Sequence, residues 1–365
     1  MALILFYTLI FGLSLYSYAL IDPNLTLISH PLWAAFREPF VQLGYHARPT
    51  SWMIFIILTI LLWGAYLYIR RHHSKRDPFK IALVIGGICF FSYPFLSHDF
   101  FNYLFDAKML TYYGVNPYLH VGLDFPNDEW LRFMHWVHRP YPYGPTFLPL
   151  TLVPSFLAMG KFFLNYVFFK VMFIGIYILG VYYLKKINKR SALEFATHPF
   201  VILEGLINLH NDMLAVSFVF VGIYYLSHKR QWLARIMLLV SGGIKYLTMP
   251  LLLLDAHKDK RWNYLVFTLQ ALLFAYLIWS KGFQQWYFFL FFALLPYFPR
   301  IIKLLHPLFF GLMVSYYPYI RLGGWDTPEK VLLKDQIIYV SIGMTAISLL
   351  VHFYKSRYAH TDQAA

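Results

Sequence analysis

Two aspartates, Asp99 and Asp106, stand seven residues apart in the stretch "SHDFFNYLFDAKMLTYYGVNPYLH", residues 97–120, directly after a long apolar run. Seven residues are two turns of a helix, so both carboxylates share a face, with Asn102 and Tyr103 between them. An acid at the lip of a hydrophobic segment is expensive to place and reads first as a functional group: a general base, or with its neighbour a holder of a divalent cation. Its plainer reading is a surface acid on a solvated loop helix. The other side of the segment, Phe100, Phe101, Leu104, Phe105 and Leu110, is apolar. That predicts a helix over 98–112 lying in the plane of the membrane surface with its acids toward water. Gly114-Val115-Asn116-Pro117-Tyr118 should end it, since proline disfavours helix at the preceding residue and glycine is a natural stop.

Further on, Arg132, His135, His138 and Arg139 follow three- and four-residue spacing, which would align them on one helix. Arginine suits a phosphate, which it grips with two parallel hydrogen bonds. Two histidines without a committed carboxylate are a weak metal signal. Tyr141-Pro142-Tyr143-Gly144-Pro145 is a rigid aromatic turn before the next apolar run, or simply a loop-to-membrane corner. His210-Asn211-Asp212 places three polar side chains at a boundary between two apolar runs, where the bland alternative is a turn. Lys245 sits inside the glycine-broken run "VSGGIKYLTMP". A lysine within a membrane segment is a functional candidate whose natural partner is an anion such as a lipid phosphate; the alternative is a side chain reaching back to the interface. Dinucleotide, phosphate-loop, serine-hydrolase and zinc-protease motifs are absent.

These groups must be positioned by membrane helices. The chain has 365 residues, 59% hydrophobic and 13% charged, and its many apolar runs reach the length that crosses a bilayer. The fold class is therefore an all-α polytopic bundle, one integral membrane domain over 1–365, with about 10 to 12 spans by this criterion. Residues 1–21 lack the basic start of a signal peptide and read as a retained first helix. The net charge of +14 is explained by lysines and arginines collecting in cytoplasmic loops, with no nucleic-acid partner implied. The cluster Arg70, Arg71, Lys75, Arg76 and Lys80 after the run 51–69 should be cytoplasmic, as should the groups at 185–190, 228–230 and 258–261. They cannot all be so if every run crosses fully, so the runs 145–160 and 240–250 are candidates for short or re-entrant segments. The third run, 79–96, then leads outward, and 97–144 becomes an external loop. That loop holds five of the 17 acids (Asp99, Asp106, Asp124, Asp128, Glu129) against three bases (Lys108, Arg132, Arg139). A local acidic excess in a basic protein marks it as the functional centre. The single Cys89 forbids an internal disulfide.

With these residues laid out, "SHDFFNYLFDAKMLTYYGVNPY" followed by "YPYGP" resembles the first external loop of polytopic glycosyltransferases of the GT-C superfamily. The pattern is similar to that of polyprenyl-phosphate-mannose-dependent α-mannosyltransferases, both the bacterial members and the catalytic subunit of glycosylphosphatidylinositol mannosyltransferase I. Asp99, Asp106-Ala107-Lys108, the turn at 114–118 and the turn at 141–145 carry the likeness; His210-Asn211-Asp212 and Gly243-Ile244-Lys245 look like two further motifs of the bacterial members. Lys108 replaces the usual arginine, and Tyr143-Gly144 a more common Pro-Leu. The resemblance implies an inverting transfer of a hexose, with mannose favoured, from a polyprenyl-phosphate donor to a hydroxyl of a glycan, lipid or protein. Asp99 would be the catalytic base and Asp106 its support. Lys108, Arg132, His135, His138, Arg139, Tyr141, Tyr143, His210, Asn211, Asp212 and Lys245 are the candidates for binding donor phosphate or substrate. No cofactor is required; a divalent cation could bind between Asp99 and Asp106, and nothing in the sequence requires one. The expected place is the plasma membrane with the site facing outside. The rival class is a multi-span transporter or lipid flippase; a non-catalytic membrane scaffold is the third.

Overall fold

The computed structural model describes residues 1–73, 75–255 and 260–361; residues 258 and 259 of the basic group at 258–261 lie outside these. Among the described residues there is no strand. The chain opens with α1 (Ala2–Tyr16), carried to Leu20 by a 3-10 turn, followed by α2 (Pro31–Val41), α3 (Arg48–His72), α4 (Pro78–Cys89) and α5 (Asp99–Thr111). After the long loop come α6 (Phe147–Leu157), α7 (Phe162–Ile187), α8 (Lys189–Thr197), a π-turn at Val201–Ile207, α9 (Asn211–Ser227) and α10 (Gln231–Ile244). A 3-10 segment, Tyr246–Leu253, leads to α11 (Lys260–Lys281), a second one, Gln285–Leu294, to the short α12 (Ile301–Leu304) and α13 (His306–Val314), and α14 (Pro328–Thr361) closes the described chain.

Among the described residues, five helical stretches are long and apolar enough to cross a membrane: Ala2–Leu20, Arg48–His72, Phe162–Ile187, Arg261–Lys281 and Pro328–Tyr354. The π-turn and α9 make a sixth if counted as one span, bent by 106°. Four more apolar helices, α4, α6, α10 and Gln285–Leu294, are shorter. The polytopic bundle is thus present, and much of the apolar sequence is divided into short or broken pieces. The run 145–160 is a helix of 11 residues, and 232–254 breaks at Lys245. Such breaks survive at membrane depth where surrounding protein supplies the missing hydrogen bonds, and α9, its residues from Asn211 to Ser217 all buried, is enclosed in that way.

One face of the bundle gathers cations. α3 ends on Arg70, Arg71 and His72, and α7 on Lys185 and Lys186, each complementing the negative end of its helix. Lys185 pairs at 2.8 Å with Asp77, whose side chain also caps α4. α4 therefore begins at this basic face, and α5 follows its far end.

α5 covers 99–111 against the expected 98–112, but not in the expected setting. Every residue from Phe100 to Met109 is buried, and only Leu110 of its apolar face is exposed. It does not lie on the membrane surface. Phe100 packs edge-on against Tyr166 at 5.4 Å and Phe105 against Phe125 at 5.9 Å. α5 is enclosed on several sides: Phe100 meets α7, Phe101 and Phe105 meet the loop that follows at Phe133 and Phe125, and Tyr103 meets Phe147 of α6 and Phe173 of α7.

Candidate functional site

The connection from α4 to α5 is pinned at two points. Lys170, buried in the middle of α7, donates to the carbonyl and to Oγ (3.2 Å) of Ser92. Tyr166 donates to the same carbonyl at 3.2 Å. Four residues on, the Leu96 N–H donates to Asn208 Oδ1 at 3.2 Å. α5 then starts at Asp99, whose carboxylate in the first turn meets the positive end of the helix.

Opposite it lies the break before α9. Leu209 takes a φ of 60°, a left-handed conformation that costs a side-chain-bearing residue about 1–2 kcal/mol. The His210 N–H bonds the Glu204 carbonyl at 3.0 Å across this kink. As a result the His210 ring faces α5: Nδ1 stands 3.8 Å from Asp99 Oδ2, and Nε2 stands 3.3 Å from Glu204 Oε2. Trp286 stacks on the imidazole at 4.3 Å. His210 is 1% exposed and Asp99 17%, so the aspartate is the member of this row that reaches open space. Behind, Glu204 receives Asn208 Nδ2 and Tyr316 Oη, each at 3.3 Å.

Asp212, in the first turn of α9, binds Lys245 at 2.8 Å, and Lys245 also donates to Asn211 Oδ1 at 3.2 Å. Lys245 follows directly on the end of α10. Its position is set by the aromatic turn. A Cβ on Gly144 would fall 2.0 Å from the Gly243 carbonyl oxygen, and one on Gly243 would fall 2.6 Å from Thr146. The Thr146 N–H and Oγ1 donate to Gly243 and Val240 carbonyls at 3.1 and 2.6 Å. Only glycines allow this approach, so the turn at 141–145 and the broken run at 240–250 are two halves of one joint. The same turn brings Tyr143 against Tyr103 (4.8 Å between rings) and Tyr141 against Tyr118 (5.0 Å). Tyr141 N–H bonds the Pro117 carbonyl at 2.9 Å.

Asp106 is buried, and its Oδ2 has no hydrogen-bond partner among the described residues. Burial pushes its pKa well above the usual carboxylate range; Arg139 opposes that and Asp99 adds to it. Lys108 is turned away from these groups. It pairs with Asp128 and lies 3.9 Å from the Trp130 ring centre, with Tyr113 donating to the same Asp128 at 2.7 Å. Arg132, His135, His138 and Arg139 do not share a helix: a 3-10 turn ends at Phe133 and irregular chain follows. All four are exposed. His135 stacks on His98 at 5.6 Å, and Arg139 lies over Trp136 at 4.0 Å. Three- and four-residue spacing suggested a helix there, but Pro140 and Pro142 close off its continuation.

Asp99, His210, Asn211, Asp212 and Lys245 thus converge, Tyr141, Tyr143, Asp106 and Arg139 adjoin them, His135 is tied to the same face of α5 by its backbone N–H bond to Asn102 Oδ1 at 3.4 Å, and Lys108, Arg132 and His138 stand apart. Among the described residues no three His, Cys, Asp or Glu side chains converge as metal ligands. Glu204 and Asn208 precede the His210 cluster in the sequence but were assigned no role from it, and Trp286 and Lys170 escaped the sequence reading. Glu204 and Lys170 carried the signal that flagged Lys245, an ionisable group within an apolar run; Trp286 carried none.

Fold and site together define a helical membrane protein with an acid, an imidazole and an ammonium group gathered where two broken segments meet. The chain belongs to the family described as alpha-(1->6)-mannopyranosyltransferase, N-terminal domain, whose model matches residues 24–256; all the candidate residues read from the sequence lie in that range. The alpha-(1->6)-mannopyranosyltransferase A of Corynebacterium glutamicum is 25% identical over 212 residues, covering 52% of this chain and 43% of that protein. The chain therefore matches less than half the length of this curated relative. No solved structure matches it.

Proposed function

We propose that the protein is a membrane α-mannosyltransferase that moves mannose from a polyprenyl-phosphate donor to an acceptor hydroxyl, with inversion, on the non-cytoplasmic side of the plasma membrane. Family membership supports the reaction class. The observation that carries the mechanism is the row Asp99–His210–Glu204 beside the Lys245–Asp212 pair. The basic ends of α3 and α7, remote from the start of α5 by the length of α4, support the sidedness.

In this reading the donor phosphate sits by Lys245, the cation already presented at the α10 break. The acceptor hydroxyl attacks the anomeric carbon from the opposite face. Its proton passes to the Asp99 carboxylate, the new C–O bond forms, and the bond to the phosphate oxygen breaks with its electron pair. The polyprenyl phosphate departs as an anion stabilised by Lys245. A phosphate leaving group needs little acid assistance, so one carboxylate base suffices where glycosidases use two. His210, stacked on Trp286 with Glu204 3.3 Å behind it, is placed to orient Asp99 once the 3.8 Å gap between them closes to a hydrogen bond.

The test is transfer from radiolabelled polyprenyl-phosphate mannose to a panel of glycan, lipid and peptide acceptors, with and without chelator. Wild-type protein transfers, and chelator leaves the rate unchanged. Asp99→Asn loses about 10²–10⁴-fold in rate, the usual worth of a general base, while eluting as a folded protein. Transfer by Asp99→Asn near the wild-type rate removes that residue from the mechanism.

A further inference from the structure

Behind Asp99 stands a carboxylate that the transfer step does not use. Glu204 is fully buried. Asn208 Nδ2 and Tyr316 Oη both donate to its Oε2, and its Oε1 has no hydrogen-bond partner among the described residues. A buried carboxylate calls for a further donor or a counter-charge. His210 can supply either, with Nε2 at 3.3 Å from Glu204 Oε2.

A neutral imidazole carries one N–H and one lone pair. With the N–H on Nε2, toward Glu204, the lone pair lies on Nδ1, toward Asp99. A carboxylate and a lone pair repel, in keeping with the 3.8 Å between Nδ1 and Asp99 Oδ2, which is beyond hydrogen-bond reach. The contact closes when Asp99 gains a proton. Imidazole is a stronger base than a carboxylate, so that proton moves on to Nδ1, and the imidazolium so formed lies against the Glu204 anion. Asn208 keeps the two halves in register: it accepts from the Leu96 N–H ahead of α5 while donating to Glu204. Asp212 is also within electrostatic reach of the ring and is balanced by Lys245 at 2.8 Å. Trp286 covers the ring's face.

We propose that His210 and Glu204 form a proton sink behind Asp99: the proton that Asp99 removes from the acceptor hydroxyl passes to His210 Nδ1 and is held there by the Glu204 carboxylate. This rests on the transferase reading above. The acceptor O–H bond breaks, an O–H bond forms on Asp99 and breaks in turn as the N–H bond forms on His210, and the new C–O bond replaces the bond to the donor phosphate. Asp99 is thereby an anion while both products are bound, and reversal lacks its acid. The proton returns to water through Asp99, the open member of the row, when the products leave. Glu204 acts through His210 and is a positioning residue.

The experiment follows kcat and KM from about pH 5 to 9 for transfer from polyprenyl-phosphate mannose to an acceptor that wild-type protein uses. Acid protonates the imidazole and fills the sink, so kcat falls on the acid side. Glu204 favours that proton. Glu204→Gln therefore moves the acid limb to lower pH by about one unit, the low end of the shift that a nearby opposite charge gives. Its plateau kcat drops about 10²-fold, the lower bound for a positioned proton-transfer group, with donor KM unchanged. Glu204→Asp, which keeps the charge, recovers roughly tenfold of that loss. His210→Gln loses as much kcat and keeps no limb above that of a carboxylate. Adding Glu204→Gln to it costs nothing more, because the two act as a unit. The position of a limb does not depend on how much of a variant is folded, and His210→Gln carries the test if the Glu204 variants do not fold. An unmoved limb in Glu204→Gln, a further loss in the double variant, or near-wild-type kcat in His210→Gln overturns the sink and leaves Asp99 in place as base. A wild-type rate in Asp99→Asn removes base and sink together, and absence of transfer to every acceptor fells the transferase reading.

Discussion

Gly144 and Gly243 meet backbone to backbone: a methyl group on Gly144 would lie 2.0 Å from the Gly243 carbonyl oxygen. This contact joins the turn that carries Tyr141 and Tyr143 to the break that presents Lys245. Gly144→Ala must push these apart, at a cost of about 2 kcal/mol or more by analogy with overpacked cores. The expected outcome is a lower melting temperature in detergent together with loss of transfer. Wild-type stability and activity in Gly144→Ala would show that the joint yields without consequence.

Lys108 holds the external loop to α5. Buried against Trp130 and paired with Asp128, it leaves that carboxylate with the Tyr113 hydroxyl and the Trp130 N–H alone when removed, and losing one hydrogen bond to a charged group costs about 1.5–3 kcal/mol. Lys108→Met should therefore melt earlier than wild type while the surviving enzyme keeps its KM for the lipid donor. A raised donor KM with unchanged melting would instead make Lys108 a phosphate ligand.

Asp106 gives a pH signature. Burial, the dominant cause, raises its folded-state pKa well above the usual range, whereas the unfolded value is about 3.9. The folded protein thus retains a proton that the unfolded chain releases. The associated stability is fully present below the unfolded pKa and is lost as pH rises through the folded one. Asp106→Asn has no such proton. Its melting temperature relative to wild type should climb between pH 4 and 8; a difference independent of pH would mean that the carboxyl is as well solvated folded as unfolded.

Sidedness is open to direct chemistry. Cys89 is buried, so the native background should be silent to a membrane-impermeant maleimide. Leu119, 76% exposed, is a suitable place for a single new thiol. Leu119→Cys should label in intact cells without permeabilisation. Labelling only after lysis would put the loop in the cytoplasm and invert the proposed topology.

Local features were legible because they depend on neighbours in the chain. The helix at 98–112 was readable from periodicity and its stop from Gly114 and Pro117, and the structure places α5 at Asp99–Thr111. The broken segments at 145–160 and 240–250 were readable from conflicting charge clusters and glycines. The span count was less so: lipid tails are as apolar as a protein core, and hydropathy rates a lipid-facing helix such as α14 and an enclosed one such as α9 alike. The same ambiguity hid the burial of α5, whose apolar face meets α7 at Phe100 and the following loop at Phe101 and Phe105.

By itself the sequence determined an all-helical membrane protein, a basic face, and the set of ionisable groups too costly to bury without purpose. Which of those groups meet was decided only by the tertiary structure. The kink at Leu209 turns His210 toward Asp99, the Gly144–Gly243 contact delivers Lys245 to Asp212, and Asp128 draws Lys108 away. Each pairing joins residues far apart in the chain, and its geometry follows from backbone approach and packing, which no local pattern of side chains encodes.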